Sequence, residues 1–406
     1  MITRRQTLMV VSGAATVAAL PGVSRQAWAA DPIKIGFTTA LTGPFNEFGE
    51  GYKRGVELAL AKINAAGGVL GRPIEIGMML DDQLVPDRAV QNMRRILDNK
   101  DIVALLCPSG SGPTLAIADM VTADGRPIMN PQAQTPTVIY PGGPGTKPRP
   151  NMFSVSIQND VEANYIAAVL AKQFKHVGLL TESTGYGKSG GELIKAEILR
   201  LDKDAVVTHE SYNQKDQDMT AQLVRVQRAR SEVLMVVGLG ADLAVIRKNM
   251  TRMGMAIPLY TMAGGLTPPY VEGAGELVIG TRGSHFAKIA REPSPPETKE
   301  FLDAYKAKHG NDRLWGPDAL HPVPSIAGTV GSGYDSMLLL ADAIRRAGTT
   351  DAGPVLKAME ATQDFAGANA TYSFSPARHD AVSAKDLSIY EYVKQDGRIM
   401  LKQLAS

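Results

Sequence analysis

The chain has 406 residues, of which 44% are hydrophobic and 21% are charged, and it carries 43 Lys and Arg against 41 Asp and Glu. A chain of this length exceeds one ordinary hydrophobic core, so we expect about two domains. The near balance of charge leaves no basic footprint for nucleic acid or for an anionic membrane surface.

Residues 1–30 have the features of an export signal. Arg4 and Arg5 are followed by an apolar run from Val10 to Leu20 and by a small-x-small site at Ala27–Ala29. The apolar run is too short for a membrane span, which needs about 20 residues. We therefore predict a twin-arginine signal peptide that directs the folded protein to the periplasm.

A strand–helix–strand unit opens the remaining chain. Ile33–Thr38 is predicted to be a strand, and Leu41–Pro44 ends it with turn residues. The apolar residues of Phe48–Ala65 recur at helical spacing, and Asn64–Gly68 closes that helix with residues that tolerate a left-handed backbone. Pro73–Leu80 returns as a second strand.

Three short segments of this unit carry a family resemblance. Leu41–Pro44, Asn64–Gly68 and Asp81-Asp82, in this order and at this spacing, resemble the start of the Leu/Ile/Val-binding type of periplasmic substrate-binding protein. The resemblance extends over nearly the whole mature chain. It implies a monomer that closes on a small ligand and delivers it to an ABC permease in the inner membrane, without a cofactor and not as an enzyme.

Strands and helices alternate along the rest of the chain, which predicts an α/β fold of two doubly wound parallel-sheet lobes. We assign 31–153 and 282–366 to the N-terminal lobe, and 154–281 and 367–406 to the C-terminal lobe. Three stretches are predicted to cross between the lobes as a hinge: Met152–Val155, Gly273–Gly283 and the region around Gly367. Ala370–Phe374 and Leu387–Val393 are predicted to pair as a terminal hairpin.

A loop rich in glycine and serine, Pro108–Thr114, follows the predicted buried strand Ile102–Cys107 and leads into a helix near Thr114. Free backbone N–H groups and the positive end of the helix dipole suit a carboxylate, although the loop could also be a simple helix cap. The resemblance favours ligand contact, because the family places serine and backbone contacts to its ligand's carboxylate in this loop. The candidate residues are Ser109, Gly110 and Ser111.

Further candidates come from the edge of the predicted sheets. Gln132, Ala133 and Gln134 follow a short strand, and ligands of open α/β sheets bind outside the carboxyl ends of the strands. The resemblance places Phe48 at an aromatic wall of the cleft and Tyr186 on the rim of the C-terminal lobe.

Two positions depart from the amino-acid binders of the family. Gly264 stands where they carry a carboxylate for the ligand ammonium, and Gln134 stands where they often have threonine. An ammonium buried without a counter-charge would cost several kcal/mol. The leading prediction is therefore an aromatic or other organic acid that stacks on Phe48 and Tyr186. For Trp315 two roles stay open, stacking on the same ligand or packing at the surface. A branched-chain amino acid or amide, and a ligand sensor on the same fold, remain alternatives.

Other motifs give weaker interpretations. Gly187–Gly191 fits the pattern of a hydrolase nucleophile elbow, but several loop residues separate it from the preceding strand. Gly238–Leu243 lacks the third glycine of a dinucleotide-binding turn, and the six histidines have no metal-ligand spacing. Cys107 is the single cysteine and ends an apolar run, so we expect it in the core. Asp81-Asp82 is expected to make turn or hinge contacts.

Overall fold

A computed structural model of the protein describes residues 31–310 and 324–404. The predicted signal at residues 1–30 and the candidate Trp315 lie outside the described residues. Among the described residues, no helix is both long enough and apolar enough to cross a membrane.

The elements alternate in the order that the sequence predicts. The strands are β1 (Ile33–Thr39), β2 (Ile74–Asp81), β3 (Ile102–Leu106), β4 (Ile128–Asn130), β5 (Met152–Ser154), β6 (His176–Glu182), β7 (Val206–Tyr212), β8 (Val233–Val237), β9 (Leu259–Thr261), β10 (Arg282–Phe286), β11 (Phe365–Ala366), β12 (Thr371–Tyr372), β13 (Leu387–Gln395) and β14 (Arg398–Gln403). The helices are α1 (Asn46–Ala65), α2 (Pro86–Asp98), α3 (Ser111–Asp124), α4 (Asn159–Ala171), α5 (Gly185–Leu201), α6 (Thr220–Arg228), α7 (Gly240–Arg252), α8 (Pro268–Ala274), α9 (Pro296–His309), α10 (Pro324–Ala347) and α11 (Ala352–Glu360).

The N-terminal lobe is built on a five-stranded sheet in the order β2-β1-β3-β4-β5, with every neighbouring pair parallel. Ile33, Ile35 and Phe37 of β1 are fully buried. Strands of parallel sheets are covered on both faces and are therefore apolar nearly throughout, as β3 is.

The C-terminal lobe is built on a seven-stranded sheet in the order β14-β13-β10-β9-β8-β6-β7. Strands β6 to β10 are parallel and repeat the order of the first sheet, while β13 and β14 add antiparallel strands at one edge. In both lobes the strand order reverses beside the first strand, which is where doubly wound sheets open a crevice for ligands.

The second crossing between the lobes differs from the prediction. Arg282–Phe286 forms β10, which pairs with β9 and β13 in the second sheet, so the chain returns to the N-terminal lobe after Phe286 and not at Gly273–Gly283. The assignment of 282–366 to the N-terminal lobe is therefore wrong for these five residues. These five residues mix polar and apolar types and so give no strand pattern. The segment becomes a strand because it lies between β9 and β13 and pairs with both. The first crossing likewise follows β5, because Met152–Ser154 belongs to the first sheet.

The predicted terminal hairpin is wrong. Thr371–Tyr372 pairs with Phe365–Ala366, whereas Leu387–Gln395 pairs with β10 and β14.

The segment after Gly367 also remains with the N-terminal lobe, contrary to the prediction. The Asp335 carboxylate of α10 accepts hydrogen bonds from the Ala368 and Asn369 amides and from the Tyr372 hydroxyl. The Ser154 amide of β5 donates to the carbonyl of His379 at 2.7 Å. The third crossing therefore lies just before β13.

Candidate functional site

A cavity of about 180 Å³ lies between the two lobes. Its walls come from segments that follow β2 to β5 in the first sheet and β6 to β9 in the second, together with α1, β10 and the N-terminal half of α10. The cavity thus occupies the carboxyl ends of both sheets beside the reversal of strand order.

Most of the predicted site residues meet at this cavity. It is lined by Phe48, Ser109, Gly110, Ser111, Gln132, Gln134, Tyr186 and Gly264. Ala133 is the exception, because it is fully buried in the core and its carbonyl accepts a hydrogen bond from the Asn130 side chain at 2.7 Å. The two glutamines flank Ala133 and face the cavity instead.

Sequence reasoning missed more than half of the lining. The additional residues are Leu84, Pro86, Gly112, Pro113, Pro131, Ser156, Ile157, Thr184, Gln214, Leu239, Ala263, His285, Phe286, Gly328, Thr329 and Ser332. The rule that ligands bind at the carboxyl ends of strands could have found Thr184, Leu239 and Ala263, which follow β6, β8 and β9. No such signal marks His285, because its strand was not recognised.

The loop Pro108–Thr114 presents hydrogen-bond donors to the cavity. The Ser109 hydroxyl oxygen accepts from the Ala40 amide at 3.3 Å, and the Ser111 hydroxyl oxygen accepts from the amides of Gln134 and Thr135 at 3.1 and 3.2 Å. The hydroxyl hydrogens of both serines have no acceptor among the described residues. Helix α3 begins at Ser111 without a side-chain cap, so its first N–H groups are also available. The loop therefore suits an anion or another strong acceptor.

The two glutamines carry buried polar atoms that lack partners in the described part of the chain. Both terminal atoms of the Gln132 side chain and the Oε1 atom of Gln134 are in this state. A buried polar atom without a hydrogen bond costs about 1–3 kcal/mol, and such atoms are uncommon in folded proteins. Their position at the cavity makes these atoms available for hydrogen bonds to a polar ligand or to water.

Tyr186 and Gly264 form the opposite wall. The Tyr186 hydroxyl accepts a hydrogen bond from the Gly264 amide at 3.3 Å. A Cβ atom at position 264 would lie 2.9 Å from that hydroxyl oxygen, so the tyrosine ring fills the space that a larger side chain would need. Burial, with a smaller contribution from Glu162, raises the pKa of Tyr186 well above its usual value, and the hydroxyl remains a neutral hydrogen-bonding group.

Two buried acids, Glu162 and Glu182, lie behind the cavity wall of the C-terminal lobe and accept hydrogen bonds from protein groups. The Oε1 atom of Glu162 accepts from the Ala263 amide at 2.7 Å and from the Ser284 hydroxyl. Burial raises the pKa of Glu162 to about 7. The Glu182 carboxylate accepts from the backbone amide and hydroxyl of Thr184 and from the Gly187 amide, so it caps the first turn of α5.

A third acid, Asp242, lies in the first turn of α7 and accepts from the Lys215 amide at 3.1 Å. Burial raises its pKa to about 6. Neither Asp242 nor the two glutamates line the cavity. Among the described residues, the lining contains no Asp, Glu, Lys or Arg.

The acidic pair Asp81-Asp82 makes turn contacts, which is one of the two roles that the sequence predicts for it. Burial alone would raise the pKa of Asp81, but hydrogen bonds from the Thr42 hydroxyl and from the backbone amides of Leu41, Gln83 and Thr42 lower it below the usual value. The pair therefore fixes the segment between β1 and α1, next to the cavity.

The motif Gly187–Gly191 is not a nucleophile elbow. The strand β6 ends at Glu182, α5 begins at Gly185, and Ser189 lies inside the helix. An elbow requires its serine on the turn between strand and helix. Cys107 is fully buried, as predicted, and burial raises the pKa of its thiol.

The lobes touch each other at residues next in sequence to Gln134, Thr184 and Tyr186, which line the cavity. The Thr135 hydroxyl donates to the Gly185 carbonyl at 2.9 Å. Phe45 of the N-terminal lobe is 2% exposed and belongs to an apolar cluster with Tyr186 and Leu239 of the C-terminal lobe. A ligand in the cavity would thus be held between surfaces of both lobes.

Comparison with known proteins gives one consistent family. The sequence model of the family described as "Periplasmic binding protein" matches residues 32–398. The chain is 23% identical to the leucine-, isoleucine-, valine-, threonine- and alanine-binding protein of Pseudomonas aeruginosa, over 95% of this chain and 96% of the relative.

Solved structures resemble the chain along nearly its whole length. A type 1 periplasmic binding protein from Bordetella pertussis is 50% identical, with a TM-score of 0.89 over 92% of this chain and 100% of the other. A solute-binding protein of an ABC transporter from Rhodopseudomonas palustris, in complex with 4-hydroxybenzoate, has a TM-score of 0.78 at 17% identity, over 92% and 96% of the two chains.

Proposed function

The chain belongs to the periplasmic binding protein family, and we propose that it is the solute-binding component of an ABC importer that captures a small organic carboxylate between its lobes. One observation supports the ligand class most directly. The described lining offers serine hydroxyls and helix N–H groups but no charged side chain. The protein would act as a monomer and release its ligand to a permease in the inner membrane.

The uncharged lining argues against a ligand with a free ammonium group. A zwitterion with its carboxylate at Ser109–Ser111 would carry its ammonium into a region where no acid lines the cavity. An unpaired buried charge costs several kcal/mol, which corresponds to orders of magnitude in affinity.

An aromatic acid fits the remaining walls. Phe48 and Tyr186 both line the cavity, and aromatic rings favour stacked or edge-to-face contact with a planar ligand. The fold accommodates such a ligand in the R. palustris protein that holds 4-hydroxybenzoate.

A branched-chain amino acid is the second candidate, because the P. aeruginosa relative is named for leucine, isoleucine and valine among its ligands. This alternative requires an acid to reach the ligand ammonium. Glu162 and Asp242 each have a second carboxylate oxygen that lacks a partner in the described chain, although neither residue lines the cavity and the Glu162 side chain is fully buried behind Ala263.

A thermal-shift panel of matched pairs tests the proposal. The pairs are 4-methylpentanoate with leucine and 3-phenylpropanoate with phenylalanine, supplemented by benzoate and 4-hydroxybenzoate. A ligand that binds the folded state alone raises the melting temperature with the logarithm of its saturation. We expect larger shifts with the amine-free member of each pair. Isoleucine and valine are added to the panel for the alternative, and the largest shift with leucine, isoleucine or valine would replace this proposal by the amino-acid alternative.

Export through the twin-arginine route completes the proposal. The double substitution Arg4→Lys and Arg5→Lys keeps the charge of the signal but removes the arginine pair. Precursor should then accumulate in the cytoplasm, as measured by immunoblotting of cell fractions. An undiminished periplasmic yield would show that the pair is not required.

A further inference from the structure

His285 is a polar residue of the cavity that the carboxylate proposal does not use. It lies on β10, in the interior of the second sheet, and its side chain is 5% exposed. The ring packs beside Gly328 of α10 and lines the cavity together with Thr329 and Ser332 of that helix.

One hydrogen bond to the His285 ring indicates which of its two nitrogen atoms carries the N–H hydrogen. The Phe286 amide donates to the Nδ1 atom of His285 at 2.9 Å. A neutral imidazole has one N–H donor and one acceptor nitrogen, so an accepting Nδ1 leaves the hydrogen on Nε2. Burial lowers the pKa of His285 to about 3, and the ring is therefore neutral at physiological pH.

The Nε2–H group has no protein acceptor among the described residues. Ser332, which also lines the cavity, has a related arrangement: its hydroxyl oxygen accepts from the Asn369 side chain at 3.0 Å, which leaves the hydroxyl hydrogen to donate. The strand β10 and helix α10 therefore supply a set of donors carried by different elements from those that carry Ser109 and Ser111.

We propose that His285 determines specificity by donating its Nε2–H to a second acceptor oxygen of the ligand, such as a carbonyl, ether or second carboxylate oxygen. This inference rests on the proposed carboxylate at Ser109–Ser111 and extends it to the other polar group of the ligand. A ligand without that oxygen leaves a buried N–H donor unpaired, which lowers affinity by about tenfold or more.

Two substitutions separate the donor from the bulk of the side chain. His285→Gln retains an N–H donor, whereas His285→Leu replaces the ring by an apolar group of similar size. His176→Gln, at the start of β6 and away from the cavity, is the control for loss of a histidine. Circular dichroism and melting temperature establish that each variant is folded.

The probes are matched carboxylates that differ by one acceptor oxygen: hexanoate with 5-oxohexanoate, and 4-ethylbenzoate with 4-methoxybenzoate. Calorimetric titration gives the ratio of dissociation constants within each pair. We expect the oxygen-bearing member of at least one pair to bind about tenfold tighter to the wild type, to His176→Gln and, to a smaller extent, to His285→Gln. The preference should disappear in His285→Leu.

The outcomes separate failure of the proposed role of His285 from failure of the proposed carboxylate binding. The same preference in His285→Leu as in the wild type, or no preference in the wild type, would overturn the role of His285 and leave the carboxylate proposal standing. Binding of no carboxylate would overturn the proposed function.

A readout without ligand tests the donor itself. Long-range ¹H–¹⁵N spectra of the wild type, with the His285→Gln variant for assignment, report which ring nitrogen is protonated. The expected result is an Nε2–H tautomer that does not titrate between about pH 5 and 8. A hydrogen on Nδ1 would overturn the inference whatever the panel shows.

Discussion

Glu162 is a fully buried residue on α4 whose carboxyl group accepts a hydrogen bond from the Ala263 amide and so supports the cavity wall formed by Ala263 and Gly264. Its Oε1 atom accepts two hydrogen bonds, and its Oε2 atom has no partner among the described residues. Burial outweighs those bonds and raises the pKa to about 7, against 4.5 for an ordinary glutamate. The folded protein therefore binds a proton here that the unfolded chain has already released.

The sign of the resulting pH dependence follows from proton binding. The stability that this proton contributes is fully present below about pH 4.5 and is lost as the pH rises through 7. Glu162→Gln removes this titrating group. Between pH 4.5 and 8 the free energy of unfolding of the wild type should therefore fall by about 3 kcal/mol relative to that of the variant.

Urea unfolding at a series of pH values measures this difference. Glu192→Gln, on the exposed side of α5, controls for the loss of one carboxyl group. Parallel curves for the wild type and Glu162→Gln would contradict a proton on Glu162 in the folded state.

Individual site residues differ in how far the sequence could predict them. Ser109, Ser111, Gln132 and Gln134 follow short strands, and that position alone predicts a place at the crevice. His285 could not be found in this way. Its strand contains arginine, glycine and serine, and becomes a strand because β9 and β13 flank it.

At the scale of elements, α1 and α10 pack backbone to backbone. A Cβ atom at Gly55 would lie 1.9 Å from the Val330 carbonyl oxygen and 2.8 Å from the Tyr334 amide nitrogen. Helix α10 also carries Gly328, Thr329 and Ser332 of the cavity. The approach of these two helices thus positions one wall of the site.

Gly55→Ala should separate the helices and destabilise the protein by about 1–3 kcal/mol or more. Gly353→Ala in α11 is the matched control, because a Cβ atom there meets nothing within 4 Å. Alanine in that open helical position should stabilise by about 0.4–1 kcal/mol. Denaturant unfolding of the wild type and both variants measures these changes. Equal stabilities of Gly55→Ala and the wild type would show that the packing at Gly55 relaxes without cost.

The sequence predicted elements best where local signals agree. Helix α9 was predicted with its observed bounds, since Pro296 starts it and Gly310 follows its last residue. The terminal hairpin failed because the pairing of β12 with β11 depends on the buried Asp335 carboxylate, which belongs to a distant helix. Hydrogen bonds between distant segments leave no periodic pattern in the chain.

At the scale of the whole molecule, the two lobes repeat one parallel strand order, and the cavity lies where the reversal points of both sheets meet. The alternation of strands and helices was enough to predict two such lobes and three crossings. The places of the crossings were shifted, because β10, which was assigned to the N-terminal lobe, completes the second sheet and the segment after Gly367 stays with the first lobe.

A crystal structure of the protein with the carboxylate that gives the largest thermal shift tests the central claim most directly. We expect the ligand carboxylate to accept hydrogen bonds from the Ser109 and Ser111 hydroxyls and from the first N–H groups of α3. The rest of the ligand should lie against Phe48 and Tyr186, with no acidic side chain in contact. A carboxylate bound elsewhere in the cavity, or an α-amino ligand whose ammonium pairs with Glu162 or Asp242, would contradict the account.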